Sequence, residues 1–125
     1  MVIAEGGRVA MWDVSARRLE PAVAGLLAQG HDVRGHACDV AVRAAVAEAM
    51  SRAEQDFGAP VSVLVNNAVW AKFQPLADID DEVVDRTLAV GLKALMWTMQ
   101  AAVPQMQRRG GGSIVNIASS GAVHP

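Results

Sequence analysis

The stretch Val61-Ser-Val-Leu-Val-Asn-Asn-Ala68 decides the fold of this 125-residue chain. Its apolar run has the length of one buried strand, and it ends in small polar residues. A second stretch of the same form, Gly111-Gly-Ser-Ile-Val-Asn-Ile-Ala-Ser-Ser120, follows later. Strands of this form are typical of a parallel sheet, which presents polar side chains to a ligand at its carboxyl edge. The two stretches therefore predict an α/β protein with a ligand site at that edge.

The first part of the chain predicts a strand and a helix. Arg8 to Asp13 has the pattern of a strand that ends in a carboxylate. Ser15 is placed to cap the helix that follows, which reaches Gly30. Pro21 leaves two alternatives open, because the helix either kinks there or begins its regular part at that proline.

The remaining pattern continues the alternation of strand and helix. A strand is expected from His31 to Cys38, followed by a helix that Asp39 caps and Gly58 ends. One long helix is expected from Asp80 to Arg109, and a last strand from Ser113 to Ala118. This order predicts right-handed parallel crossovers and a doubly wound sheet between two helix layers.

Composition narrows the class of protein. The net charge is −2 and 52% of the residues are apolar, so the chain can line a core but offers no basic face for nucleic acid. No apolar run reaches the roughly 18 residues of a membrane helix. Cys38 is the only cysteine, which favours a reducing cytoplasm. The three histidines are too widely spaced for a metal site, and we expect them at the surface or in loops.

Four local motifs, in order, carry a resemblance to a known family. They are Asp13 at the end of a strand, Cys38-Asp39-Val40, Val65-Asn-Asn-Ala68, and Ile114-Val-Asn-Ile-Ala-Ser119. Over essentially all 125 residues the chain resembles the middle of a short-chain dehydrogenase/reductase. The resemblance implies one partial dinucleotide-binding domain over residues 1–125, with an incomplete Rossmann-like, doubly wound parallel sheet in three α/β/α layers. In the family's strand order, 3-2-1-4-5, the central first strand is absent here, and its two neighbours would be left with facing edges that are free to close on each other.

The resemblance assigns the adenosine end of a cofactor to three residues. Asp13 would accept hydrogen bonds from both ribose hydroxyls and repel a 2′-phosphate, which favours NAD over NADP. The alternative is that Asp13 only begins a turn, and Arg17 or Arg18 could instead meet a phosphate. Asp39 would meet the adenine amino group and Val40 would form part of the adenine wall. Asp39 could cap a helix at the same time.

Asn66, Asn67 and Ala68 are the next cofactor-binding candidates. Asparagine is disfavoured in strands and costs free energy when buried without partners, so we expect partners for these amides. In the family this turn holds the central strands together and passes beside the cofactor ribose. Val69 departs from the pattern, because glycine is usual there and a β-branched residue does not readily adopt a positive φ.

Ser119 is the candidate catalytic residue, with Ser120 the less favoured neighbour. By resemblance its hydroxyl would hold the substrate carbonyl or hydroxyl oxygen; the alternative is a serine that bonds local backbone. Gly91 stands where the family commonly has an asparagine that helps to hold a water of the proton relay. The relay is therefore either built differently or absent.

The resemblance implies an NAD(P)-dependent oxidoreductase that transfers hydride between nicotinamide and a small-molecule alcohol or carbonyl. The sequence contains no tyrosine, and the glycine-rich phosphate loop and the Tyr-x-x-x-Lys motif of the family are absent. We therefore expect the isolated chain to be inactive. The alternative is a non-catalytic fragment that pairs with a full-length relative through the long helix, which commonly forms the homo-oligomer interface of the family. Its apolar stripe is Leu88, Leu92, Leu95, Met99, Val103 and Met106.

Overall fold

A computed structural model describes residues 5–119 of the chain. Strands and helices alternate, as the sequence pattern predicts. The elements are β1 (Val9–Asp13), α1 (Ala16–Ala28), β2 (Val33–Ala37), α2 (Arg43–Phe57), β3 (Val63–Asn66), a 3₁₀ turn (Leu76–Asp78), α3 (Asp81–Leu88), a π-helical segment (Ala89–Lys93), α4 (Ala94–Arg108) and β4 (Ser113–Asn116). Within residues 5–119, none of the helices combines the length and apolarity needed to cross a lipid bilayer.

The strands form two separate parallel pairs. β1 pairs with β2 from Val9 opposite Val33 onward, and β3 pairs with β4 from Val63 opposite Ser113 onward. In the described part of the chain no strand joins the two pairs, so the facing edges of β1 and β3 have not closed on each other. A groove lies between them instead. This is the incomplete doubly wound α/β fold that the sequence predicts.

Helices cover β2 on both faces. A Cβ added to Gly35 would lie 2.8 Å from the Val23 side chain, so this residue faces α1 at close range. The next residue, His36, points to the opposite face, where its Nε2 lies 3.0 Å from Asp56 Oδ2 of α2. The expectation that His36 lies at the surface or in a loop was wrong, because its side chain is only 13% exposed within β2.

The core lies on the α2 and α4 side of the strands. One cluster contains Met50, Leu64, Ala102 and Met106, and a second contains Cys38, Val46 and Ala49. Trp12 of β1 packs against both clusters. Burial, with smaller contributions from nearby carboxylates, raises the pKa of the Cys38 thiol above 9.0. Cys38 therefore packs in the core as a small apolar residue.

The helix starts differ from the predictions in two places. α1 begins at Ala16, directly after Ser15, so Pro21 lies inside the helix and does not start it. Ser15 holds the cap position, but its side chain caps no N–H group. Asp39 does not cap α2, because a turn separates them and the cap position is held by Val42. The turn closes with a 2.9 Å bond from the Val42 N–H to the Asp39 carbonyl.

The helix ends were predicted correctly where their chemistry is distinctive. Gly58 ends α2 with φ 61°, a left-handed conformation that glycine adopts without strain. Asp80 caps α3, because its Oδ1 accepts the Val83 N–H at 2.9 Å. The predicted long helix is α3, the π-helical segment and α4 in succession.

The predicted apolar stripe is divided between surface and core: Leu88, Leu92 and Val103 are exposed, whereas Met106 is buried and Met99 packs against the core. Ala94, Thr98 and Ala102 are buried as well. Small residues face inward because α4 packs closely on α2. The buried Gln105 amide accepts the Val61 N–H at 2.9 Å and donates to the Met50 carbonyl at 3.2 Å. This side chain joins α4 to α2 and to the chain entering β3.

Candidate functional site

The groove between β1 and β3, here called the central groove, has a volume of about 720 Å³. All six predicted cofactor-binding residues line it: Asp13, Asp39, Val40, Asn66, Asn67 and Ala68. Asp13 is the last residue of β1 and Asn66 is the last residue of β3. Asp39 and Val40 follow β2, so the structure brings together, at the carboxyl ends of three strands, residues that are up to 55 positions apart in the sequence.

Asp13 is held by its own turn and by an arginine. Its Oδ1 accepts the Ser15 N–H at 2.7 Å and a bond from Arg18 Nη2 at 2.9 Å. The Ser15 bond, and then the Arg18 bond, lower the pKa of Asp13 below 3.8. Oδ2 has no hydrogen-bond partner in residues 5–119. The carboxylate is thus charged, oriented by one oxygen, and able to accept a ligand donor on the other.

Asp39, which follows β2, forms a bidentate ion pair with Arg86 of α3. Arg86 of α3 donates to Oδ2 at 3.0 Å and to Oδ1 at 3.3 Å, and the Ala41 N–H donates to Oδ1 at 3.0 Å. Burial raises the pKa of Asp39, but the bonds from Arg86 and Ala41 outweigh it and hold the pKa below 3.8. Asp39 therefore has less capacity for a ligand than Asp13.

Asn66 lies at the centre of a polar network. Its Nδ2 donates to Asn116 Oδ1 at 2.8 Å, across the pair of strands β3 and β4. Its Oδ1 accepts from Thr98 Oγ1 at 2.8 Å, and Thr98 is a buried residue of α4. This confirms the expectation that the Asn66 amide has partners. The network fixes the ends of both strands against α4.

The residues after Asn66 are exposed to the groove. Asn67 and Ala68 are exposed, and the Asn67 side chain makes no hydrogen bond within residues 5–119. Val69 is 82% exposed. No residue other than glycine has a positive φ in that part of the chain, so the backbone at Val69 does not need the conformation that glycine allows.

Ser119 follows β4 and does not line the central groove. It is exposed, three positions after the end of the strand. The backbone before it is fixed, because the Ile117 N–H donates to the Asn66 carbonyl at 2.9 Å. Ser120 and His124 lie outside the described residues.

Gly91 lies inside the π-helical segment rather than in a regular α-helix. The Ala94 N–H donates to the Ala89 carbonyl, which is the five-residue spacing of a π-turn. A Cβ added to Gly91 would meet nothing within 4 Å. The position therefore has open space, and single π-turns are frequent at functional sites.

Three site residues were missed by reasoning from the sequence: Arg86, Thr98 and Asn116. Asn116 could have been identified from the sequence, because aligning the two strand motifs places it opposite Asn66 in a parallel pair. Thr98 gave a weaker signal, as the polar residue in an otherwise apolar stretch of helix. No local signal marks Arg86, since its partner Asp39 is 47 residues away.

Comparison with known proteins agrees with this arrangement. The sequence model described as short chain dehydrogenase matches residues 1–125. The chain belongs to the short-chain dehydrogenase family. It is 34% identical over 122 residues to Dehydrogenase/reductase SDR family member 4 of Oryctolagus cuniculus, covering 97% of this chain and 46% of that protein. It is 36% identical over 118 residues to D-threitol dehydrogenase of Mycolicibacterium smegmatis, covering 94% and 45%.

Solved structures of the family superpose on almost the whole chain. NAD⁺-bound xylitol dehydrogenase matches with a TM-score of 0.87 at 31% identity, covering 97% of this chain and 47% of that one. A metagenomic short-chain oxidoreductase in complex with NADP matches with a TM-score of 0.85 at 30% identity, covering 94% and 53%. Both cofactors therefore occur among its structural neighbours. The chain spans about half the length of the relatives it matches.

Proposed function

We propose that this chain forms part of an NAD(P)-dependent oxidoreductase that interconverts a small-molecule alcohol and its carbonyl. The observation that carries the proposal is the convergence of Asp13, Asp39 and Asn66 on one groove. α/β folds bind dinucleotides at the carboxyl ends of their parallel strands. The assignment of Val40, Asn67 and Ala68 to the same cofactor is supported by their place in the lining.

The adenosine ribose is assigned to Asp13, with NAD preferred over NADP. Its Oδ2 can accept the ribose hydroxyls, while its negative charge disfavours a 2′-phosphate. Arg18 opposes this preference, because its guanidinium lies 2.9 Å from Asp13 Oδ1 and is 68% exposed on its side chain. If Arg18 turned toward the ligand, it would favour a phosphate. The preference is therefore the balance of two neighbouring charges.

Asp39 and Asn66 have different roles in the proposed site. Arg86 orients Asp39, so one remaining lone pair on Oδ2 would meet the adenine amino group. The Asn66 amide already bonds to Thr98 and Asn116. Asn66 would therefore fix the turn that passes beside the cofactor and would not donate to the ligand. Asn67, whose amide has no partner within residues 5–119, is the better candidate for a direct contact.

Ser119 is assigned to the substrate oxygen. The bound nicotinamide would supply or accept the hydride, and the serine hydroxyl would donate a hydrogen bond to the reacting oxygen. The sequence has no tyrosine to exchange the proton, so we expect no turnover from this chain alone. The names of relatives such as D-threitol dehydrogenase support an alcohol substrate. A single buried cysteine supports a location in the cytoplasm.

The cofactor assignment is tested by binding rather than by turnover. NAD⁺ and NADP⁺ are titrated into the chain, and ligand saturation transfer by NMR reports the contact of the adenine ring. Asp13→Ala should shift the ratio of NAD to NADP affinity toward NADP by about tenfold, which is 1.4 kcal/mol. Asp32→Ala is the matched control. Asp32 lies immediately before β2 and pairs with Arg34, at the other end of the strand from the site, so this substitution should leave the ratio unchanged. An unchanged ratio in Asp13→Ala would show that Asp13 is only a turn residue.

A second candidate function is a non-catalytic interaction fragment that pairs with itself or with a full-length relative. Large apolar residues are exposed along the helices at intervals of four residues and, at the end, seven: Val84, Leu88, Leu92, Met96 and Val103. Exposed apolar residues in such a row are typical of a protein interface. The same row supports a homo-oligomer in the oxidoreductase, so the size of the chain in solution and its cofactor binding together separate the two functions.

A further inference from the structure

The carboxylate of Asp39 has one acceptor position left for a ligand. Its Oδ1 accepts two N–H groups, from Ala41 at 3.0 Å and from Arg86 at 3.3 Å, whereas its Oδ2 accepts only Arg86 Nη1, at 3.0 Å. Each carboxylate oxygen offers two lone pairs, so one lone pair of Oδ2 has no donor within residues 5–119. The side chain is 28% exposed and lines the central groove, so a ligand can reach this lone pair.

The Arg86 guanidinium fixes the plane of that carboxylate. It donates one N–H group to each carboxylate oxygen, and two such bonds side by side set an orientation as well as a distance. The bond from the Ala41 N–H approaches from a different residue and holds the same oxygen, Oδ1. The carboxylate cannot rotate without breaking these bonds, so the remaining lone pair of Oδ2 points in one direction.

Arg86 itself extends from a helix face that the core holds in place. Val83 and Val90 are buried, and they lie three residues before and four residues after Arg86 in the chain. Side chains at these spacings lie on the same side of a helix. Asp80 fixes the start of α3 by accepting the Val83 N–H at 2.9 Å. The position of the guanidinium is therefore set by packing and not by a loop.

A fixed lone pair distinguishes between two classes of purine. Adenine carries an amino group at C6, which donates, whereas hypoxanthine and guanine carry an oxygen there, which only accepts. The bonds from Arg86 and Ala41 hold the pKa of Asp39 below 3.8, so at neutral pH the carboxylate has no proton to donate. An oxo group would therefore meet a second acceptor that cannot turn away, and such a repulsive contact gives specificity.

We propose that Arg86 is a positioning residue that makes the site selective for a 6-amino purine over a 6-oxo purine, because it holds Asp39 in a single orientation. The inference rests on the proposed assignment of Asp39 to the adenine amino group. Arg86 acts through Asp39 and needs no contact with the base. A carboxylate released from Arg86 could rotate away from an oxo group, so removal of Arg86 reduces the discrimination between the two bases.

The test compares adenosine with inosine, which differ in this way at C6 of the base. Each nucleoside is titrated into the ¹⁵N-labelled chain, and the amide shifts of Asp39 and Val40 give the two dissociation constants. The natural chain should bind adenosine about tenfold more tightly than inosine, and Arg86→Met should reduce this ratio to about two or less. Both nucleosides are measured on the same preparation, so a fraction of unfolded chain leaves the ratio unchanged.

Two further variants separate orientation from charge and from general effects on the turn. Arg86→Lys keeps the positive charge beside Asp39, but an ammonium group cannot form the planar pair of bonds. Its ratio should fall as in Arg86→Met; an unchanged ratio would mean that charge alone suffices and contradicts the proposal. Arg43→Met is the matched control, because Arg43 begins α2 and lies 5.2 Å from the centre of the Trp97 ring without bonding to Asp39. It should leave the ratio unchanged.

A double-mutant cycle shows whether Arg86 acts through Asp39. Asp39→Ala should remove the preference for adenosine, since it removes the acceptor. In the Asp39→Ala background, Arg86→Met should change the ratio no further. A further change would show that Arg86 contacts the base directly, and the positioning role would be wrong.

The results distinguish a failure of this inference from a failure of the cofactor assignment. If adenosine shifts the amides of Asp39 and Val40 but the ratio does not depend on Arg86, the adenine assignment stands and the role of Arg86 is wrong. If neither nucleoside shifts these amides, the adenine assignment is overturned, and the role of Arg86 with it.

Discussion

Removal of the Thr98 hydroxyl should destabilise the fold although no cavity is created. Thr98 is 3% exposed, and its Oγ1 lies 2.8 Å from Asn66 Oδ1 and 3.0 Å from the carbonyls of Ala94 and Leu95. The helix carbonyls have backbone partners, so Thr98→Val leaves only Asn66 Oδ1 without its donor. An unsatisfied polar group costs about 1–3 kcal/mol, and partial access of water to Asn66 favours the lower half of that range. We expect a loss of about 1–2 kcal/mol.

The assay is urea unfolding followed by tryptophan fluorescence at a fixed chain concentration. With a slope of about 2 kcal/mol/M, the midpoint should fall by about 0.5–1 M at unchanged slope. Thr87→Val is the matched control, since the exposed Thr87 donates only to the Val83 carbonyl of its own helix at 2.7 Å. It should change stability by less than about 0.5 kcal/mol.

A double-mutant cycle isolates the pair. Asn66→Ala and Thr98→Val should show a coupling energy of about 1 kcal/mol, because each change alone removes the same hydrogen bond. If the two changes are additive, or if Thr98→Val costs no more than Thr87→Val, the network does not hold β3 against α4 and the reasoning is refuted.

Two further predictions concern charge and assembly. The pKa of Asp39 is lowered in the folded state, so its pair with Arg86 stabilises the fold fully above pH 3.8 and loses this effect as the pH falls through the lower folded-state pKa. The stability difference between the natural chain and Arg86→Met should therefore vanish in acid, as measured by urea midpoints across a range of pH. Arg52→Met is the control, because Arg52 is exposed, and its effect on the midpoint should not depend on pH. If the exposed apolar row forms an interface, Leu92→Lys should shift the chain toward monomer in sedimentation velocity. Ala47→Lys, on the exposed side of α2, is the control and should leave the mass unchanged. Equal masses for the two variants contradict that interface.

The alternation of elements was predictable because each signal is local. Asp80 and Gly58 act on backbone groups within a few residues, so their roles follow from neighbouring sequence. The capping role expected for Asp39 failed because a competing turn and Arg86, 47 residues away, take its oxygens. Long-range partners of this kind leave no periodic signal.

The convergence of the six candidate residues on one groove was predictable, but their hydrogen-bond partners were not. Strand-end motifs placed six residues at one groove, since the carboxyl ends of neighbouring parallel strands converge. The pairing of Asp13 with Arg18 was considered only as a charge nearby, whereas the structure makes it a 2.9 Å contact. The inward face of α4 was not predicted, because its buried residues Ala94, Thr98 and Ala102 are small and a hydrophobicity pattern gives most weight to large residues.

The π-helical segment sets the rotational phase between α3 and α4. A π-turn amounts to one extra residue in an α-helix, and one residue corresponds to a rotation of about 100°. Without that residue, α3 would present a different side to the strands, and Arg86 would no longer point at Asp39. The π-turn thus allows one continuous helix to contact two partners at different angles: the polar network through Thr98 and the ion pair through Arg86.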